Sequence, residues 1–221
     1  MKKVITCLIC VSLLMLIPFT FACSCKNSQV EQSISQIRSD VFKGKSQNYT
    51  AEAYSEEKEF PFINDCHVGD KKTCVVIKIK DCSTLNLNAK IVYSGVSYET
   101  ALTYNNVSNS LTATVIVSSL PKNSLTLTVI SQDGEESITL TSVKRSDTIS
   151  PIKALKSVQN KEKDYINSLY DNNVFKCEIY IRLLAEGDYN FYYVGFANGE
   201  GKITAYLLDA SDGKIIAGKN D

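Results

Sequence analysis

From Thr73 to about Val143, apolar side chains recur at every second position and no stretch between them has room for a helix. Val75, Ile77 and Ile79 alternate with Lys78 and Lys80. Leu111, Ala113, Val115 and Val117 alternate with Thr112 and Thr114, and Leu125, Leu127, Val129, Ile138 and Leu140 continue the series. A period of two turns one side of an extended chain inward and the other outward. Ser94-Gly95, Asn105-Asn106, Pro121-Lys122-Asn123 and Asp133-Gly134 supply the turns between the runs. Short Thr- and Val-rich strands at this spacing predict a β-sandwich, bounded here as residues 34–147.

The segment before it has the pattern of an export leader. Lys2 and Lys3 precede an apolar run from Val4 to Ile17 that ends at Pro18. A spanning helix needs ~20 apolar residues, so the run is a secretory h-region and residues 1–22 are a signal peptide. The Ala22-Cys23 junction resembles the lipobox of bacterial lipoproteins, which implies lipidation of Cys23 and attachment to the outer face of the cell membrane. Phe21 and Thr20 depart from that pattern, so ordinary cleavage after Ala22 and release as a secreted protein is the alternative. Residues 23–33 are polar and are expected to form a tether. Ile34, Ile37, Val41 and Phe42 then fall at helical spacing before Gly44, predicting a short amphipathic helix. Residues 49–54 are a candidate first strand.

Beyond the sandwich, Ser150-Pro151 is an N-cap followed by the first helical residue. Ile152, Leu155, Val158, Ile166 and Leu169 mark one helical face, ended by Asp171-Asn172-Asn173. Candidate strands follow at 174–184, 189–197, 202–209 and 214–217, joined by Gly-containing turns. One helix and a four-stranded antiparallel meander make residues 148–221 an α+β unit, so the whole chain is expected to be mainly β with α+β.

Two resemblances add to this reading. Residues 34–147 resemble immunoglobulin-like domains of bacterial surface proteins in strand pattern, without the Cys…Trp…Cys hallmark. The run from Phe191 to Phe196, followed by Ala205-Tyr206-Leu207-Leu208-Asp209 and Gly213-Lys214-Ile215-Ile216, resembles the PepSY-like module of secreted bacterial proteins. That resemblance implies restraint of a peptidase or binding within the cell envelope.

The chemistry-bearing residues are few. Formal net charge is zero, with 24 basic and 24 acidic residues, which disfavours nucleic acid as a partner. One His, no zinc spacing and no glycine-rich phosphate loop point to a non-enzymatic protein with no metal and no cofactor. Cys66 and Cys74 are a candidate disulfide, with Cys66 and Cys82 as the alternative; Cys74 and Cys82, in one strand, are too far apart to join. Cys177 shares a face with Phe175, Ile179 and Ile181, as a buried apolar residue would.

Eight aromatic side chains lie between Phe175 and Tyr206. A helix covers only one face of a sheet, so alternation must send several rings outward. Tyr180 shares its face with Glu178 and Arg182 and is the first candidate for an exposed ring. Tyr192 or Tyr193, with Tyr206, would complete a platform for a protein, a peptide or a cell-wall glycan.

Overall fold

The structure is a computed structural model that describes residues 28–61, 65–80 and 87–220. The expected leader, Cys23 and Cys82 lie outside the described residues. The fold is mainly β. The first strand, β1 (Ile34–Lys45), is followed by β2 (Thr50–Glu59), β3 (Lys71–Lys80), β4 (Asn88–Tyr93), β5 (Val96–Ala101) and β6 (Thr103–Asn105). Then come β7 (Ser110–Ile116), β8 (Ser124–Ser131) and β9 (Gly134–Ser142). Two helices, α1 (Pro151–Lys161) and α2 (Lys163–Ser168), and a small hairpin of β10 (Tyr170–Asp171) and β11 (Val174–Phe175) precede the final meander. That meander is β12 (Cys177–Glu186), β13 (Tyr189–Asn198), β14 (Ile203–Asp209) and β15 (Ile215–Asn220).

Residues 34–45 are therefore a strand and not the expected helix. On one edge β1 pairs antiparallel with β2 along most of its length. On the other it pairs first with β12, in parallel from Ile34 to Arg38, and then with β9 at Phe42 and Lys43. One hydrogen-bonded sheet thus runs β15-β14-β13-β12-β1-β2-β3-β7-β6, and a branch of β9, β8, β4 and β5 leaves it at β1. The branch and the β1-β2-β3-β7 strands close on one apolar core, which contains Phe42, Ile77, Ile91, Leu127 and Leu140. A second core lies between the helices and the meander and contains Leu155, Val158, Ile181, Tyr192, Val194 and Phe196.

Strand β1 serves both cores. Consecutive residues of a strand face opposite ways, and here Val41 belongs to the helix-side core while Phe42 belongs to the other. The chain just before β1 is docked as well. Residues 28–32 form a helical turn, and Val30 is buried in the helix-side core, so the described end of the expected tether is packed.

The crossover from β9 to α1 is held by Asn190. Its side-chain oxygen accepts from Arg145 N at 2.7 Å and Thr148 Oγ1 at 3.2 Å, and its amide donates to Val143 O at 3.3 Å. Ser150 caps α1 as expected, accepting from Lys153 N with Pro151 in the first turn. The Asp209–Gly213 segment is a turn: Asp209 Oδ1 accepts from Ser211 N and Oγ, and Gly213 takes φ +79°, which suits a residue without Cβ.

Candidate functional site

Alternation along β12 and β13 sorts the aromatic cluster. Tyr192 aligns with Val194 and Phe196 toward the helices; it is fully buried, and its hydroxyl donates to Ile149 O at 2.8 Å. Tyr206 also faces inward, buried against Tyr165 and Phe196. Neither ring is available to a partner, which corrects the expected platform at two positions. Tyr193 has the opposite orientation. It pairs with Arg182 across the strands, and its ring lies over Gly195, whose missing Cβ would stand 2.7 Å from Tyr193 Cε1.

Tyr180 shares a face with Glu178 and Arg182 as expected, yet it is only 5% exposed. Described residues of the connection between β2 and β3 lie against this end of β12. Glu178, fully buried, accepts from Asp65 N at 3.0 Å and Cys66 N at 3.1 Å through Oε1, while Tyr180 OH donates to its Oε2 at 3.2 Å. Glu59 fastens the same connection from its base, accepting from Gly69 N at 2.8 Å and from Ser35 Oγ at 3.1 Å.

Between this connection and the sheet lies an open cleft of about 380 Å³. It is lined by Phe60 and Pro61, by Tyr180 and Arg182, and by Gln36, Lys58, Glu59 and Thr114. Its polar groups form a chain. Arg182 Nε donates to Gln36 Oε1 at 2.7 Å, and Gln36 Nε2 donates to Glu56 Oε2 at 2.8 Å. Glu56 is almost fully buried and also takes Arg38 Nε at 2.8 Å, with Lys58 Nζ at 3.6 Å. Burial, and then the charge of Arg38, hold the Arg182 guanidinium below its ordinary pKa. The guanidinium carbon lies 5.3 Å from the Tyr180 ring centroid and 5.8 Å from that of Tyr193.

The chain matches no protein-family profile, no curated protein and no solved structure.

The sequence named Tyr180, Arg182 and Tyr193, and the structure brings these three together. It did not point to Gln36, Arg38, Glu56, Lys58 or Phe60. The only local signal was the density of charge in Ser55-Glu56-Glu57-Lys58-Glu59, which reads equally well as a solvated strand.

Two of the cysteines depart from expectation. Cys66, Cys74 and Cys177 are all free thiols. Cys74 sits inside β3, paired with Glu56 and Ile116, whereas Glu178 draws the Cys66 backbone over β12 and Cys66 Sγ donates to Lys176 O at 3.2 Å. Cys66 and Cys74 are therefore not joined. His67 is exposed beside Cys66, and among the described residues no group of His, Cys, Asp and Glu is arranged to hold a metal ion. Cys177 is buried as expected.

Burial raises the thiol pKa to about 11 at Cys74 and about 12 at Cys177, the latter helped by the neighbouring Cys66. Cys66 is raised by burial and then by Glu178 and Asp65. The thiolate is the reactive form. At pH 8 only about one Cys74 in a thousand, and about one Cys177 in ten thousand, is ionised. Iodoacetamide at pH 8 is expected to label Cys66 well ahead of the two buried thiols, and all three in urea. Peptide mapping by mass spectrometry without reductant checks this: rapid native labelling of Cys74, or a linked Cys66–Cys74 peptide, would contradict the arrangement.

Proposed function

We propose that this chain is an exported, non-enzymatic envelope lipoprotein that binds a protein or peptide on the open face of its C-terminal sheet. In this reading Cys23 carries the lipid, residues 34–147 are an immunoglobulin-like spacer, and residues 148–221 are a PepSY-like binding module that restrains a peptidase or a similar partner. The observation that carries it is the asymmetry of the β12–β15 meander. Helices cover one face, while the other holds Arg182 and Tyr193 beside a cleft whose remaining walls come from β1, β2 and β7. Arg and Tyr are the side chains most enriched where binding energy concentrates. A concave site with few, convergent polar groups is the ordinary form of a recognition site.

Glycan or cell-wall binding is the alternative function. It calls for a flat row of exposed rings; the burial of Tyr192 and Tyr206 removes two of the expected ones and leaves Tyr193 with Tyr189 and Phe191 at alternate positions of β13, while the charged cleft beside Arg182 favours a peptide. Among the described residues no helix is long and apolar enough to cross a membrane.

Two measurements test the reading. Cells fed radioactive palmitate are expected to label the wild-type chain and not Cys23→Ala; equal labelling would remove the lipid anchor. Tyr193→Ala is expected to lose capture of an envelope protein from detergent extract, with no change in the little material that sediments with isolated peptidoglycan. Sedimentation with peptidoglycan that depends on Tyr193 would instead favour the glycan function.

A further inference from the structure

Charge accounting around the cleft narrows the ligand. Among the described residues, the carboxylates near it are engaged: Glu56 by Gln36, Arg38 and Lys58, Glu59 by Ser35 and Gly69, and Glu178 by two backbone amides and Tyr180. Arg182 is different. Its one hydrogen bond to a described residue runs from Nε to a neutral amide oxygen, and the described residues give Nη1 and Nη2 no acceptor. Gln36 cannot turn away, because its own amide donates to Glu56. The guanidinium plane is thus fixed by Gln36 and flanked by two tyrosine rings before any ligand arrives. A guanidinium fork fixed in this way matches a carboxylate with two parallel hydrogen bonds, and its rigidity lowers the entropy lost on binding. Lys58, whose ammonium lies 3.6 Å from Glu56, also lines the cleft and has donors left for a ligand.

Part of the lining is apolar. Phe60 is 49% exposed and stands beside Pro61. A ligand that satisfies both parts of the lining carries a carboxylate and an apolar group. The volume of about 380 Å³ is near the lower end of ligand sites and admits only a short stretch of chain.

Resting on the reading of this face as a binding surface, we infer that the cleft recognises a peptide carboxylate through Arg182 and Lys58, with the adjoining apolar side chain against Phe60 and Pro61. The carboxylate comes from the C-terminus of the partner or from an acidic residue beside an apolar one. Thr114, also in the lining, has a hydroxyl for the peptide backbone.

The test uses the full chain in detergent micelles and follows arginine Nε–Hε resonances during titration. The probes are an equimolar mixture of acetylated tripeptides ending in leucine or phenylalanine with a free carboxylate, the same mixture as C-terminal amides, amidated tripeptides with aspartate beside phenylalanine, and inorganic phosphate. The Arg182 resonance is expected to move with the free acids or the aspartate peptides, and whichever of the two binds identifies the source. The plain amides are expected to bind at least about tenfold more weakly, and Arg182→Gln to weaken the acidic peptides by a similar factor. Glutamine keeps a donor toward Gln36, so an unchanged fold is checked by the melting temperature. Lys58→Ala, away from the Gln36 bond, is expected to weaken the acids about threefold.

Equal binding of acids and amides, indifference to Arg182→Gln in a folded variant, or displacement by phosphate at the peptide's own concentration would overturn the inference. If the acids fail while Tyr193→Ala still abolishes capture of the envelope protein, the carboxylate assignment alone falls. If capture fails too, the wider reading falls with it.

Discussion

Replacing Phe42 by Ala is expected to cost about 3–5 kcal/mol and to unfold both cores together. Phe42 is fully buried in the core closed by β8 and β9, and removing its ring leaves a cavity that surrounding strands fill only in part. A domain is held by only ~5–15 kcal/mol, so the loss is a large share of the total. Its reach follows from β1: the residue before it, Val41, is buried in the helix-side core, and the same strand pairs with β2, β9 and β12. Urea unfolding followed by helix circular dichroism, and separately by amide exchange at Leu127, is expected to give one transition moved to lower urea on both probes. A helix signal that stays at the wild-type midpoint while Leu127 exchanges early would show two independent units.

Glu178→Ala is expected to cost about 2–4 kcal/mol and to release the connection that walls the cleft. The substitution removes a fully buried carboxylate that accepts from Asp65 N, Cys66 N and the Tyr180 hydroxyl. Glutamine keeps one carbonyl oxygen for the two amides, so Glu178→Gln is expected to lose less than half as much. Hydrogen exchange reads the local effect: protection at Asp65 and Cys66 falls in the alanine variant and largely survives in the glutamine one. The cleft should lose its shape with it, because Phe60 and Pro61 hang on the same connection. Unchanged exchange at Asp65 and Cys66 in Glu178→Ala would mean that Glu178 does not hold this segment.

The residues carried much of the fold on their surface. The alternation of Val75, Ile77 and Ile79, or of Leu125, Leu127 and Val129, has only one extended solution, and the turns at Ser94-Gly95 and Asp133-Gly134 are where expected. Strand β1 was illegible for a physical reason. Its pairing has one irregularity between Ile34 and Gln36 and another between Arg38 and Asp40. The extra residue after Ile34 resets the alternation, so Ile34 and Ile37 stand three apart; with Val41 four further on, the series has the spacing of a helix. No local rule distinguishes the two.

The site was only half legible for a different reason. Alternation placed Tyr180 and Arg182 on one face, and the open choice between Tyr192 and Tyr193 is resolved by which of them aligns with Val194 and Phe196. What buries Tyr180, however, is a connection more than a hundred positions earlier in the chain, captured by Glu178. The parallel pairing of β1 with β12, which brings Gln36 to Arg182, is equally remote. Contacts of that range leave no trace in a window of neighbouring residues.

The most direct measurement is photocrosslinking in intact cells, with a benzophenone amino acid placed at position 193 on the open sheet face or at position 107. Val107 is 99% exposed at the tip of the β6–β7 turn, so it samples the same surroundings without belonging to the cleft. A discrete protein adduct in the envelope fraction from position 193, absent from position 107, is the predicted result. No adduct at 193, the same adduct from both positions, or adducts only with cytosolic proteins would contradict the account.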